Sequence, residues 1–185
     1  MRIFAVTADV ELTRKPEWFD AFRAEYDEPY PLHVTLKQPC VVEDGEVEEL
    51  KSSVAVFFAG WGKLEAPIGI TFDRMNVSMR SQEDICVMLD ATDTGPLGTM
   101  QAGIVARLGT RCPYLKEEYA QYESNFHPHV TIARDLTEKD YGSAAKMWTP
   151  NFACEGLVRS YTLVIVPELN AEEANKPENR TTFVL

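Results

Sequence analysis

The 185-residue chain lacks any long hydrophobic run. A membrane-spanning helix needs about 20 mostly apolar residues in succession, and no stretch of this sequence approaches that length. The apolar start, Met1 to Val10, is short and is interrupted by Asp9, which is unlike a secretory signal. We therefore expect an intracellular, cytoplasmic protein without a membrane partner.

Positive charge is also scarce. The chain has 18 lysines and arginines against 29 aspartates and glutamates, and its net charge is -11. A broad, sequence-independent nucleic-acid surface needs clustered basic residues to displace counterions, so this balance argues against one. A small phosphate ligand, or one RNA end held in a local basic pocket, remains compatible with it.

Cysteine occurs only four times, at widely separated positions, and never as a Cys-x-x-Cys pair. This spacing is not typical of a zinc knuckle or of a redox motif. We expect four reduced thiols in or near the core: Cys40, Cys86, Cys112 and Cys154.

The composition that is present, 45% hydrophobic and 25% charged, is typical of a folded globular protein. Apolar spacing predicts helices over residues 16–26, 46–60, 95–109 and 138–148. Alternation predicts strands over 3–10, 32–37, 67–77, 84–90, 126–134, 156–166 and 181–184, with loops over 27–31, 110–125 and 170–179. Strands and helices interleave irregularly, which favours one α+β domain over residues 1–185, with antiparallel sheets.

A four-residue motif occurs twice. His-Val-Thr-Leu at residues 33–36 returns as His-Val-Thr-Ile at residues 129–132, and these motifs use two of the three histidines. Residues i and i+2 of a strand point to the same face, so His33 and Thr35 project together, as do His129 and Thr131. The apolar residues between them point into a core.

Two imidazoles brought together suit acid–base chemistry at neutral pH. One can remove a proton from water or a ribose hydroxyl while the other protonates the departing oxygen. The two threonine hydroxyls can donate hydrogen bonds to phosphate oxygens, and Arg134, three residues after Thr131, is the best candidate for a supporting cation. This set predicts transfer at a phosphodiester without a metal.

Other interpretations stay open at this point. A single His-Val-Thr-Leu is an ordinary strand sequence, so each motif by itself could be structural. A metal site built on the two histidines would need Asp, Glu or Cys as further ligands, where the motifs supply threonine.

Several neighbouring residues are weaker candidates for substrate contact. His127 shares the face of His129 on an ideal strand, but Pro128 disturbs that geometry, and we expect a rim or structural role. Lys37 either adds charge to the site or lies at a solvated strand end. Four aromatic residues could stack on a base, although the first two are more often core residues: Phe4, Phe126, Tyr30 and Tyr122.

The paired motifs resemble the 2H phosphoesterase superfamily, in particular its 2'-5' RNA ligase and cyclic phosphodiesterase branch. The similarity extends from the opening strand at residues 2–6, through residues 126–134, to the strands at 161–166 and 181–184. The resemblance implies a bilobal α+β fold. In that fold two antiparallel sheets with outer helices are related by a pseudo-two-fold axis, and the active-site cleft lies between the lobes.

The resemblance also assigns roles. It implies that His33 and His129 are the catalytic pair, that Thr35 and Thr131 bind phosphate, and that Arg134 supports it. The implied activity is metal-independent hydrolysis of a 2',3'-cyclic phosphate, or a related nucleotide or RNA-end phosphodiester, with no cofactor and no obligate protein partner. A 2'-5' RNA ligase activity, or a non-catalytic module that binds cyclic nucleotides or phosphate in the same cleft, are the alternatives.

Overall fold

The alternating segments of the sequence form one antiparallel sheet in the computed structural model, which describes residues 1–27, 31–61, 67–109, 112–149 and 151–184. The strands are β1 (Arg2–Arg14), β2 (His33–Val42), β3 (Ile68–Ser81), β4 (Asp84–Ala91), β5 (His129–Leu136), β6 (Cys154–Val166) and β7 (Arg180–Val184). The α-helices of the described part are α1 (Phe19–Tyr26), α2 (Val47–Trp61), α3 (Gly95–Leu108), α4 (Glu118–Ser124), α5 (Glu138–Ala144) and α6 (Ala171–Asn175). The predicted α+β class with antiparallel pairing is confirmed.

Strand β6 joins the two parts of the sheet, whose order is β2-β1-β6-β3-β4-β5. One edge of β6 pairs with β1, whereas the other pairs with β3 over residues 154–158 and with β7 over residues 160–164. The prediction of two separate sheets is therefore wrong, because β3 hydrogen-bonds directly to β6 and makes the sheet continuous. A pseudo-two-fold relation between two lobes stays a prediction.

The two strands that carry the His-x-Thr motifs lie at opposite ends of this sheet order, yet β2 and β5 contact each other. A sheet accumulates twist from strand to strand, and over six strands its ends can approach. Helix α1 packs on β5, and helices α3 and α4 pack on β2. The fold thus brings together two motifs that are far apart in sequence.

The core lies between the sheet and its helices and takes its large side chains from both. Phe58 of α2 stacks on Tyr161 of β6, with ring centroids 4.5 Å apart. All four cysteines are free, and Cys40 and Cys154 are buried, which confirms the predicted reduced thiols. Among the described residues, no helix is long and apolar enough to cross a membrane.

Two segments that were predicted to be loops contain helices instead. Helix α4 lies within residues 110–125, and α6 with a following 3-10 turn (Pro177–Asn179) lies within residues 170–179. Helix α4 buries Tyr119 and Glu123, so a charged residue stands on its inner face and hides the apolar pattern. Of the predicted loop 27–31, residues 28–30 lie outside the described residues.

The ends of some predicted elements also differ from the structure. Strand β5 begins at His129 and not at Phe126, because Pro128 has no N–H to donate to a neighbouring strand. Helix α5 ends at Ala144, earlier than predicted. Strands β2 and β3 extend further than their sequence patterns indicated, to Val42 and to Ser81.

Candidate active site

Each His-x-Thr motif opens a strand. The apolar residues Val34, Leu36, Val130 and Ile132 are at most 1% exposed. Both histidines and both threonines of the motifs are partly exposed. The predicted division, with the apolar residues in the core and the imidazole and hydroxyl on the other face, is confirmed for both strands.

The two imidazoles are held in the same way. Nδ1 of His33 lies 2.9 Å from the carbonyl oxygen of Pro31, and Nδ1 of His129 lies 2.9 Å from the carbonyl oxygen of His127. A carbonyl can only accept, so Nδ1 carries the proton in each ring. The neutral ring then has its lone pair on Nε2, the atom that can take up a proton as a base or deliver one as an acid.

A β-bulge follows each motif threonine. Thr7 pairs with Thr35, but the next residue of β1, Val6, pairs with Lys37. In the second motif Met88 pairs with Thr131, but Val87 pairs with Ala133. A bulge places two residues opposite one and so shifts the alternation of faces along the strand. Beyond the bulge, Lys37 and Ala133 no longer share the face of the imidazoles.

Lys37 is therefore not a site residue. Its side chain is 1% exposed and its Nζ lies 2.7 Å from Oε1 of Glu123, which also accepts from the hydroxyl of Tyr114. Its Nζ also lies 4.3 Å from the centroid of the Tyr114 ring. Both roles predicted for Lys37, a charge in the site and a solvated strand end, are wrong because the bulge turns the side chain into the protein.

The same shift affects Arg134, which follows the bulge in β5. Its Nε lies 3.8 Å from Oδ1 of Asp27, at the C-terminal end of α1, and its charge acts on His33. The arginine of the second motif strand is therefore close enough to the histidine of the first motif for its charge to act on that imidazole. Gln38 occupies the corresponding position after the bulge of β2.

The electrostatic surroundings of His33 favour its neutral form. Burial lowers the pKa of His33 below the ordinary histidine value, and the positive charges of Arg134 and Arg180 act in the same direction. The hydrogen bond to Pro31 and the negative charge of Asp9 act in the opposite direction but do not reverse the shift. Burial likewise raises the pKa of Asp27, against the opposing effect of its hydrogen bonds from Arg23.

The weaker candidates for substrate contact have different outcomes. Phe4 is fully buried in the core and cannot stack on a base, so that prediction is wrong. Phe126 is partly buried and packs against the core, and Tyr122 is 46% exposed. Tyr30 lies outside the described residues.

His127 lies at the exposed edge of the second motif. Its Nε2 is 2.9 Å from Nη2 of Arg74 and 3.6 Å from Oδ2 of Asp90. The ring therefore contacts charged side chains of β3 and β4 at the exposed rim of the site.

Two aspartates that the sequence analysis did not single out face the motif histidines. Asp9 of β1 pairs with His33, and Asp90 of β4 pairs with His129. Directly opposed residues of antiparallel strands share a face of the sheet, so each imidazole has a carboxylate beside it. The sequence shows Asp9 within an otherwise apolar strand and Asp90 near the end of another. The histidine that each aspartate faces is known only from the register of the paired strands.

The described residues contain no group of three or more His, Cys, Asp or Glu side chains that could hold a metal ion. Independence from metal stays a prediction, which an activity measurement with a chelator tests.

Comparison with known proteins decides the family. The chain matches the model of the 2'-5' RNA ligase superfamily over residues 11–166. The chain belongs to this superfamily, whose members are 2H phosphoesterases. A search of curated proteins found no match.

The matched range contains both motifs of the 2H type and Arg134. Members of the superfamily act on RNA or nucleotide phosphodiesters. The match ends before β7, so Arg180, whose charge acts on His33, lies beyond the range that the family model covers.

Proposed function

We propose that this protein is a metal-independent phosphodiesterase that hydrolyses a 2',3'-cyclic phosphate or a related phosphodiester at a nucleotide or RNA end. The observation that carries the proposal is the matched pair of imidazoles. In each ring Nδ1 donates a hydrogen bond to a backbone carbonyl oxygen. The two strands that carry the imidazoles contact each other. Two rings with Nε2 available are what a general acid and a general base require.

The proposed reaction divides the work between the two histidines. One Nε2 removes a proton from the attacking water as its oxygen bonds to phosphorus, and the other delivers a proton to the ribose oxygen that leaves. Thr35 and Thr131 donate hydrogen bonds to the non-bridging phosphate oxygens, where negative charge increases in the transition state. Arg134 adds a positive charge on the His33 side of the site.

The net charge of the protein favours a small substrate over a long one. At -11 the molecule repels the extended phosphate backbone of RNA, whereas a cyclic mononucleotide or a terminal phosphodiester presents little charge outside the site. We therefore propose that recognition is confined to the reacting phosphate and its adjacent nucleosides.

The test is hydrolysis of the four nucleoside 2',3'-cyclic monophosphates in the presence of EDTA. Wild-type protein is compared with His33→Ala and His129→Ala. We expect either motif substitution to lower kcat/KM by about 100-fold or more, because general acid and general base each contribute on that order. Turnover that survives both motif substitutions, in folded protein, contradicts the proposal.

The threonines provide a second arm of the same experiment. Thr35→Val and Thr131→Val keep the shape of the side chain but remove the donor, and we expect each to lower kcat by about tenfold to a hundredfold. Thr13→Val is the matched control, because Thr13 donates to the backbone carbonyl of Glu155 at the far end of β1. Equal losses in all three variants would contradict a phosphate-binding role.

Ligation is the second candidate activity, and the description of the family as the 2'-5' RNA ligase superfamily supports it. The same acid–base pair would join an RNA 2',3'-cyclic phosphate to a 5'-hydroxyl when that hydroxyl takes the place of water. Incubation of two RNA ends with these groups, followed by analysis of the linkage formed, separates ligation from hydrolysis. Binding of the nucleotides without either reaction would indicate a binding module.

A further inference from the structure

The carboxylate of Asp9 has a defined place beside the first motif. Asp9 lies directly opposite His33 in the register of β1 and β2, and on the same face of the sheet. Its Oδ2 accepts hydrogen bonds from Ser160 Oγ at 2.7 Å and from Thr162 Oγ1 at 2.8 Å. Two hydroxyls of the central strand β6 thus fix the orientation of this carboxylate.

The other carboxylate oxygen is left without a hydrogen bond. Oδ1 of Asp9 is buried and has no hydrogen-bond partner among the described residues. Among the described residues, the guanidinium of Arg180 forms an ion pair with this oxygen, with its Nη2 3.8 Å away and beyond hydrogen-bond distance. A buried carboxylate oxygen costs free energy unless a positive charge or a donor compensates it, so its retention here calls for a charge nearby.

Arg180 supplies one such charge, and His33 is a second group coupled to this carboxylate that can become positive. Its Nδ1 already donates to Pro31, so Asp9 does not select the tautomer and acts on the ring by charge alone. The groups that face His33 are Asp9 from β1, Arg134 from β5, Arg180 from β7 and Asp27 at the C-terminal end of α1. Two of them are guanidiniums, which oppose any positive charge on the imidazole.

We propose that Asp9 is the positioning residue of the first motif, and that its fixed carboxylate stabilises the imidazolium that His33 becomes whenever it holds the transferred proton. During the reaction Nε2 of His33 binds one proton and later releases it, so the ring alternates between neutral and +1. Only the charged form is attracted to Asp9. The carboxylate thereby offsets the positive charges of Arg134 and Arg180, which disfavour the imidazolium.

The second motif repeats this strand register. Asp90 lies opposite His129 in the register of β4 and β5, and its side chain is only 5% exposed. Asn76 Nδ2 donates to its Oδ2 at 3.2 Å and Arg74 Nε at 3.3 Å. The two motifs thus share the register that sets an aspartate opposite the histidine, whereas the Asp90 carboxylate itself contacts Arg74 and Asn76 and lies 3.6 Å from Nε2 of His127.

The experiment measures the imidazole pKa values of the free protein by NMR titration, which needs no substrate. Three histidines give three ring signals, and single His→Gln variants assign them. We expect Asp9→Asn to lower the pKa of His33 by about one unit, since a nearby opposite charge shifts a pKa by at least that order. Asp9→Glu keeps the charge and should restore the wild-type value within a few tenths.

The matched control is Glu11→Gln, a carboxylate two residues further along β1 that pairs with Arg159 at 3.1 Å. It removes the same charge from the same strand and should leave the His33 titration in place. A folded Asp9→Asn protein in which the His33 pKa equals the wild-type value overturns the proposal, as does an equal shift in Glu11→Gln.

A measurement on the wild type covers the case in which Asp9→Asn does not fold. The carboxyl carbon of Asp9, followed by carbon-13 NMR, should show an inflection at the pH where His33 titrates, and a flat signal through that range overturns the proposal.

The proposal rests on the acid–base role suggested for His33, and activity assays separate the two. A shift of the His33 pKa in a protein that turns over no cyclic phosphate supports the Asp9–His33 coupling and contradicts the phosphodiesterase. Where turnover occurs, the limb of the kcat/KM pH profile that reports His33 should move down with the NMR pKa. A limb that stays in place while the NMR pKa moves overturns the role of Asp9 in catalysis.

Discussion

The motif histidines are oriented by interactions of very short range. Each Nδ1 bonds the carbonyl oxygen two residues earlier in its own chain segment, at Pro31 for His33 and at His127 for His129. The tautomer of each ring is thus set within its own segment and does not depend on the other half of the molecule. This explains how two distant segments present their imidazoles alike.

Lys37 illustrates a residue whose role depends on a distant partner. Lys37→Met should lower the free energy of unfolding by about 3–5 kcal/mol, because it leaves the charge of Glu123 buried without its partner. Glu123 also accepts hydrogen bonds from Tyr114 and from the backbone N–H of Gln38, and these bonds hold its carboxylate in the interior. Urea unfolding measures the change.

Lys51→Met is the control for that prediction. Lys51 pairs with Glu48 at 2.8 Å on the exposed surface of α2, and its loss should cost about 0.5 kcal/mol or less. Similar costs for the two lysine variants would show that the Lys37 pair is effectively solvated, contrary to its burial in the structure.

At the scale of the element, the two bulges decide which side chains of each motif strand face the site. Without them, strict alternation would place Lys37 beside His33 and would point Arg134 away from the site. With them, Lys37 enters the core-side network and Arg134 lies near His33. Each bulge is a register shift between two strands, so a single strand read by itself gives no sign of it.

Gly156 permits the close approach of β1 to β6. A Cβ at this position would lie 3.0 Å from the backbone oxygen of Glu11 and 3.0 Å from Cγ1 of Val10. We expect Gly156→Ala to lower the free energy of unfolding by about 1–3 kcal/mol, because a backbone atom of a central strand cannot move aside freely. Thermal or urea unfolding measures this cost.

Gly69→Ala is the matched variant in the neighbouring strand β3. A Cβ there meets nothing within 4 Å, so the substitution should be neutral or stabilise the protein by about 0.5 kcal/mol, because alanine has less backbone freedom to lose on folding. If both alanine variants behaved alike, steric contact would not be the reason for glycine at position 156.

Much of the element pattern was predictable from the sequence, but helices α4 and α6 were not. Helices α1, α2, α3 and α5 and all seven strands were predicted with shifted ends, because their apolar periodicity reflects one buried face each. Helix α4 was missed because Glu123 stands among its buried residues. A buried carboxylate is tolerated there only because Lys37, Tyr114 and Gln38 meet it, and none of these partners is near it in sequence.

At the scale of the whole molecule, the titration of His33 links the site to stability. Its pKa is lower in the folded protein than the ordinary value of 6.5, mainly because of burial. Below that value the unfolded chain binds the proton more readily, so the contribution of His33 to stability is present above about pH 6.5 and is lost as the pH falls. His33→Gln should remove this part of the pH dependence.

The measurement is the free energy of unfolding of wild type and His33→Gln between about pH 7.5 and 5. The wild type should lose stability faster on acidification, by at most about 1.4 kcal/mol for each unit by which the pKa differs between states. Parallel curves for the two proteins would contradict a lowered pKa of His33.

The sequence by itself determined the α+β class, the two His-x-Thr motifs, their division into a core face and a polar face, and the superfamily that the match over residues 11–166 shows. These features depend on residue type and on neighbours a few positions away, and the sequence shows both directly. Only the tertiary structure decided that one sheet joins the two parts and that Asp9 and Asp90 face the histidines. It also decided that a bulge in each motif strand turns Lys37 away from the site and turns Arg134 toward it. Those features depend on strand register and on the approach of the two ends of the sheet, and both are set when distant segments pack together.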